Sequence, residues 1–188
     1  MAAYKDSHSQ LTSKTVLLHW LIAAVFVILL VMGVYMHETK AYHLYDIHKS
    51  IGVLIFLFAV YRVFWRMSNG WTSTVGTPTQ RMRKLARLVH WLLIIGTVLM
   101  PISGFMMSAM GGFGVSVFGL ELVAANPDPN NQGEFIAINS LLASAGHVMH
   151  GLGSKILIAA ILLHVAGALV HHFSYKDGVL SRMLGRRI

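Results

Sequence analysis

Four long apolar stretches dominate this sequence, at about 15–36, 46–67, 86–110 and 147–173, and each can cross a hydrocarbon core of about 30 Å as a helix. That feature leaves few folds open. The runs lack the short alternation of membrane-barrel strands, so the expected class is all-α: an integral membrane four-helix bundle, one domain over residues 1–188. Composition agrees, because 55% of the residues are hydrophobic and only 12% are charged, too apolar for an ordinary soluble domain. The first run is long, follows a polar tail and has no small-residue cleavage site. It is expected to be the first membrane helix and not a signal peptide.

The net charge of +8 is distributed unevenly. Lys14, Arg62, Arg66, Arg81, Arg83, Arg87, Arg182 and Arg186 are among the cations in the N-terminal tail, the second connection with its helix ends, and the C-terminal tail. Glu38, Asp46, Glu121, Asp128 and Glu134 fall on the other side, with Lys40 and Lys49. The positive-inside rule then puts both termini in the cytoplasm, as expected of a multi-pass protein of a bacterial inner membrane. A basic cytoplasmic face needs no nucleic-acid partner, and none is expected.

The chain has no cysteine. Thiolate-held metals, iron–sulfur clusters of the usual kind and covalently attached c-type haem are therefore excluded. The connections are unequal. The first, at about 37–45, is short; the second, at about 68–85, carries the turn-forming Asn69-Gly70 and Pro78. The third, at about 111–146, begins Gly111-Gly112-Phe113-Gly114 and contains Asn126-Pro127-Asp128-Pro129-Asn130-Asn131. A loop of that length in so small a protein is often functional.

Eleven histidines are many for this length, and His19, His48, His90, His150 and His164 fall inside predicted spans. Ionisable groups inside a bilayer are costly and usually functional, and imidazole is a principal haem-iron ligand. His150 and His164 are 14 residues apart, which is roughly 21 Å of helix rise and within roughly 40° of one face. One helix can thus offer a ligand at each of two depths. Topology chooses the partners: His19 early in the first helix matches His164 late in the fourth, and His48 early in the second matches His150 early in the fourth. The expected cofactors are two haem b groups, with His19, His164, His48 and His150 as axial ligands. Gly33 and Gly104 fall at the depth of the external pair, where they would leave room for a porphyrin. Arg62 lies 14 residues after His48, at the cytoplasmic depth, and Arg66 is one turn further; both suit haem propionates through charge-assisted hydrogen bonds.

The segments Leu18-His19-Trp20, Ile47-His48-Lys49, Val89-His90-Trp91 and Leu163-His164, with His171-His172 and Tyr175-Lys176-Asp177 after them, resemble the prokaryotic cytochrome b561 family. The resemblance covers nearly the whole chain. It implies dihaem electron transfer with ubiquinone or another quinone and, in some members, oxidation of superoxide to oxygen.

The remaining candidates each carry two readings. His90 has no partner histidine left at its level, so contact with a ligand histidine or a haem propionate is expected rather than ligation. His147 is a rival to His150, one turn away and about 100° off the face of His164. His171, two turns after His164, is suited to proton exchange with a quinone, or is an interfacial polar residue. Lys49 is placed to attract an anionic donor such as superoxide, or is a snorkelling anchor. His37, His8, His43 and His172 read as surface or interfacial residues, and Trp20, Trp65, Trp71 and Trp91 as an aromatic belt.

Two histidines on each iron leave no open position, which suits outer-sphere electron transfer. Superoxide and an external redox protein are the two candidate donors. The first makes the chain a superoxide:quinone oxidoreductase, and the second makes it the cytochrome b membrane-anchor subunit of a larger redox complex. A histidine-lined metal or proton transporter is the third reading, against which stands the near absence of acidic residues in the spans.

Overall fold

The computed structural model describes residues 5–70, 75 and 79–188; Trp71 and Pro78 lie outside the described residues. Four helices carry the fold: α1 Ser13–Thr39, α2 Tyr45–Asn69, α3 Gln80–Met110 and α4 Ser140–Val170. All four are long and apolar enough to cross a membrane. Their outward residues are large hydrophobics such as Leu17, Val31, Leu57, Phe64 and Leu162. Such a surface is stable only against lipid, since water would make it one continuous aggregation patch.

The helix ends follow local chemistry. The side chains of Thr12, Thr79 and Asn139 accept hydrogen bonds from Thr15 N, Met82 N and Leu142 N, capping α1, α3 and α4. Lys40 at φ 56° closes α1 and Gly70 at φ 77° closes α2. Two starts come earlier than hydropathy indicated. Helix α3 begins at Gln80 because Arg81, Arg83 and Lys84 are good helix formers although not membrane-like. Helix α4 begins at Ser140, directly after its asparagine cap.

Successive helices run antiparallel, so both termini lie at one end, where Ile188 N donates to Ser9 O at 3.0 Å. A π-helical turn, His171–Tyr175, and a short helix α5, Val179–Met183, finish the chain there. The most extensive packing is α3 on α4. A Cβ on Gly146 would lie 2.6 Å from Met107 N, so only glycine permits that approach. At the opposite end the third connection folds into an antiparallel hairpin, β1 Val115–Val117 and β2 Leu120–Val123, laid against α2. Hydropathy had marked this segment only as a long loop.

The buried apolar cluster contains Ile22, Phe26, Leu29, Ile55, Met100 and Leu157. Its position is informative: Phe26 is seven residues from both His19 and Gly33, and Leu157 is seven from both His150 and His164. The core is an apolar slab at mid-depth, with a histidine layer on each side.

Candidate functional site

The layer far from the termini is built from α2, α3 and α4, with Gly33 of α1 beside His48. The ring centroids of His48 and His150 are 6.3 Å apart. His150 Nδ1 lies 3.0 Å from the Met100 carbonyl and 3.1 Å from Ser103 Oγ, and Ser103 Oγ itself donates to that carbonyl at 2.9 Å. A carbonyl only accepts, so Nδ1 of His150 carries the proton and Nε2 keeps its lone pair. His48 Nδ1 is buried and has no hydrogen-bond partner among the described residues. Small residues keep the layer open. A Cβ on Gly104 would stand 3.0 Å from His150 Cε1, and one on Gly33 would stand 3.7 Å from His48 Cε1.

The layer nearer the termini joins α1, α2, α3 and α4. His19 and His164 have centroids 6.1 Å apart, and His90 approaches His164 at 5.4 Å. Arg62 Nη2 is 3.3 Å from His19 Nδ1. A guanidinium only donates, so this contact makes Nδ1 of His19 the acceptor. Arg66, one turn on, pairs with Asp6 at 3.1 Å and donates to Gly70 O. Between α2 and α3 at this level is a cavity of about 310 Å³, lined by Ala59, Arg62, Val63, Arg66, Trp91 and Thr97 among others.

In spacing, both histidine pairs suit a haem iron. Two imidazoles bound on opposite sides of one metal, with metal–nitrogen bonds of about 2 Å, have their ring centroids about 6 Å apart, the separation seen in both pairs. His150 is fixed in the ligating tautomer, and the orphaned nitrogen of His48 is the kind of buried polar atom that calls for an explanation. Among the described residues, no group of three or more His, Cys, Asp or Glu side chains is arranged to hold a bare metal ion.

The other candidates are placed as follows. Lys49 Nζ is 3.2 Å from Asp46 and 3.4 Å from Gly114 O, at the hairpin end. His171 Nδ1 contacts Asp177 Oδ2 at the termini end, and its ring faces Tyr175. His147 is exposed, and its Nδ1 lies 3.4 Å from Met107 Sδ. His8, His37, His43 and His172 are exposed. Trp20 and Trp65 donate to Met183 O and Thr15 Oγ1, so these indoles tie termini and helices together.

Sequence reading missed the tie beneath the layer nearer the termini. Asp6 accepts from Thr12 N at 2.8 Å, from Thr15 Oγ1 at 2.9 Å and from Arg66. Burial raises its pKa, but these hydrogen bonds and the Arg66 charge outweigh burial and hold the carboxyl below its ordinary value. Arg182, beside it, donates to His8 O at 3.0 Å. Nothing in the polar tail signalled this, because a single aspartate has no periodicity.

Comparison with known proteins agrees with the architecture. A family model described as prokaryotic cytochrome b561 matches residues 10–186. "Cytochrome b561 homolog 2" of Escherichia coli (strain K12) is 30% identical over 89% of this chain and 87% of its own length. "Cytochrome b561 homolog 1" of the same organism is 26% identical over 93% of this chain and 97% of its own length. A protein of Yersinia pestis named "Probable superoxide oxidase CybB" is 27% identical over 75% of this chain and 74% of its own length.

Proposed function

The chain belongs to the prokaryotic cytochrome b561 family, whose members imply haem, and from that premise we propose a dihaem b-type cytochrome of the bacterial inner membrane. It passes electrons between a donor on the external face and the quinone pool, as a superoxide:quinone oxidoreductase. The observation that carries this reading is the recurrence of one geometry, imidazole pairs at 6.1 and 6.3 Å. The pairs stand on two levels roughly 21 Å apart along α4. The donor assignment leans on the Yersinia pestis relative's name. The basic termini, Arg81, Arg83 and Arg87 face the cytoplasm under the positive-inside rule.

Haem, when bound, supplies one-electron exchange at an iron that two imidazoles close to other ligands. The chain's residues do the rest. His48 with His150, and His19 with His164, would hold the two haems through their imidazole nitrogens. The Met100 carbonyl holds the proton of His150 on Nδ1 and keeps Nε2 free. For His19 to donate through Nε2, its Nδ1 must carry a proton and Arg62 must take another acceptor. A haem propionate is the anion that a guanidinium binds bidentately. Arg66, held by Asp6, adds charge from the next turn, and His90 closes the same level beside His164. His171, with Asp177 as acceptor for Nδ1, keeps Nε2 to exchange a proton with ubiquinone or another quinone at the cytoplasmic side. Lys49, adjacent to His48, attracts an anionic donor.

The test is a reduced-minus-oxidised spectrum with haem quantitation on the wild type, His150→Ala and His164→Ala, followed by superoxide addition in the presence of a quinone. Two b-haems per chain, one lost in each variant, together with rapid superoxide-dependent reduction, is the expected result. Unchanged haem content in both variants would sink the ligand assignment. Intact haems that superoxide does not reduce would sink the donor.

A further inference from the structure

We propose that the β1–β2 hairpin is a re-entrant wedge whose tip, Phe118 and Leu120, sits among lipid acyl chains of the leaflet opposite the termini. This rests on the four helices crossing a bilayer and is independent of the electron-transfer reading.

Depth carries the argument. The His48–His150 layer serves as a level mark, and Gly104 shares it through its contact with His150. The base of the hairpin is held by Ser108 Oγ, which donates to Gly114 O at 2.8 Å. Ser108 is four residues outward from Gly104, about 6 Å above the mark. The tip is held by Ser50. Its hydroxyl accepts from Phe118 N at 3.0 Å and lies 3.3 Å from Ser116 O. Ser50 is two residues beyond His48 toward the opposite face, about 3 Å below the mark. The tip is therefore about 9 Å deeper than the base. Taking mid-depth at Ile55, Ser50 is about 7–8 Å from the midplane, well inside a hydrocarbon half-thickness of about 15 Å.

Non-helical backbone at that depth is tolerated only where its polar groups are satisfied by protein. Ser50, only 2% exposed, does this at the point where the ladder ends, serving the amide of Phe118. A serine inside a membrane helix thereby acquires a reason beyond its own helix.

The turn itself indicates what lies outside it. Phe118 at φ 47° and Gly119 at φ 91° form a two-residue connection in which both central residues have positive φ. Asn-Gly or Asp-Gly is the preferred pair there. A phenylalanine is strained in that conformation, yet Phe118 is 66% exposed and Leu120 is 67% exposed. The chain itself makes little use of either side chain, whereas acyl chains would cover both. Glu121 points to the other face of β2, paired with Ser116 nearer the base.

The absence of cysteine makes the test direct. Phe118→Cys, Leu120→Cys and Asn130→Cys are labelled singly with a nitroxide in the full chain, reconstituted in phosphatidylcholine nanodiscs. Collision with oxygen is compared with collision with a water-soluble nickel chelate. Labels at 118 and 120 are expected to be oxygen-rich and several-fold less accessible to nickel than the label at 130, with Leu120→Cys sufficing should the turn variant fail to fold. Nickel accessibility at 118 and 120 equal to that at 130 would place the tip in water and overturn the wedge. Labels shielded from both reagents would overturn it too, because a protein surface and not lipid would then cover the tip.

Discussion

The two histidine layers repeat one pair geometry in different electrostatic settings. The pair His48–His150 is surrounded by neutral groups: a backbone carbonyl, the Ser103 hydroxyl and two glycines, while the adjacent Lys49 is turned to Asp46 and Gly114. The pair His19–His164 faces Arg62 directly, with His90 beside it and the Arg66–Asp6 pair one turn away. Residue type and spacing therefore do not distinguish the layers. Charge does. A fixed cation favours the reduced, less positive iron, so a haem held by His19 and His164 is expected to have the higher potential, and electrons to run downhill toward the termini.

The largest expected break in this comparison is steric. Gly104→Val places branched methyls where even a Cβ is 3.0 Å from His150, so the layer far from the termini should lose its haem while the other keeps its own. Gly33→Ala, with 3.7 Å to His48, should leave haem content unchanged. Haem-to-protein ratios on the two variants decide it. Loss from both layers in Gly104→Val would mean that the layers do not load independently.

Next is Arg62→Gln, which removes the guanidinium and keeps a polar side chain. Redox titration should show one of two transitions lowered by about 50–100 mV, the size expected for a unit charge about 8 Å away at an effective dielectric of about 20. A shift of equal size in both transitions would contradict the assignment of charge to one layer.

Asp6→Asn tests the support beneath the same layer. Losing charge-assisted hydrogen bonds should cost about 2 kcal/mol, read as a lower thermal midpoint at neutral pH. The pH dependence has a definite sign. The folded carboxyl is held below its ordinary value, so its contribution is complete above the unfolded pKa and is lost as pH falls through the folded one. Wild type and variant should thus converge in stability under acid, and a gap that persists there would refute the ion-pair account. Ser103→Ala is the mildest case. The Met100 carbonyl still fixes the tautomer, so haem affinity at that layer should fall by about tenfold at most.

Most of the fold was legible because the bilayer imposes it. An apolar run of more than 20 residues has few alternatives to a spanning helix, and the four runs matched α1 to α4 within a turn, except at the starts of α3 and α4. There hydropathy was the wrong signal: capping by Thr79 and Asn139 sets the ends, and caps are short-range and polar. The hairpin was invisible for a related reason. Its strands are three and four residues long, and the side chain that anchors its tip, Ser50, is 68 positions away in sequence.

The sequence by itself determined that there are four spans and that histidines stand at two depths. Both follow from a helix rise that hydrogen bonds within each segment impose whatever surrounds it. Only the tertiary structure decided the neighbours across helices: Met100 O for His150, His19 for Arg62 and Asp6 for Arg66. Lateral contact depends on how helices rotate and lean together and on where aperiodic tails and loops fold back. No spacing along one chain segment encodes that.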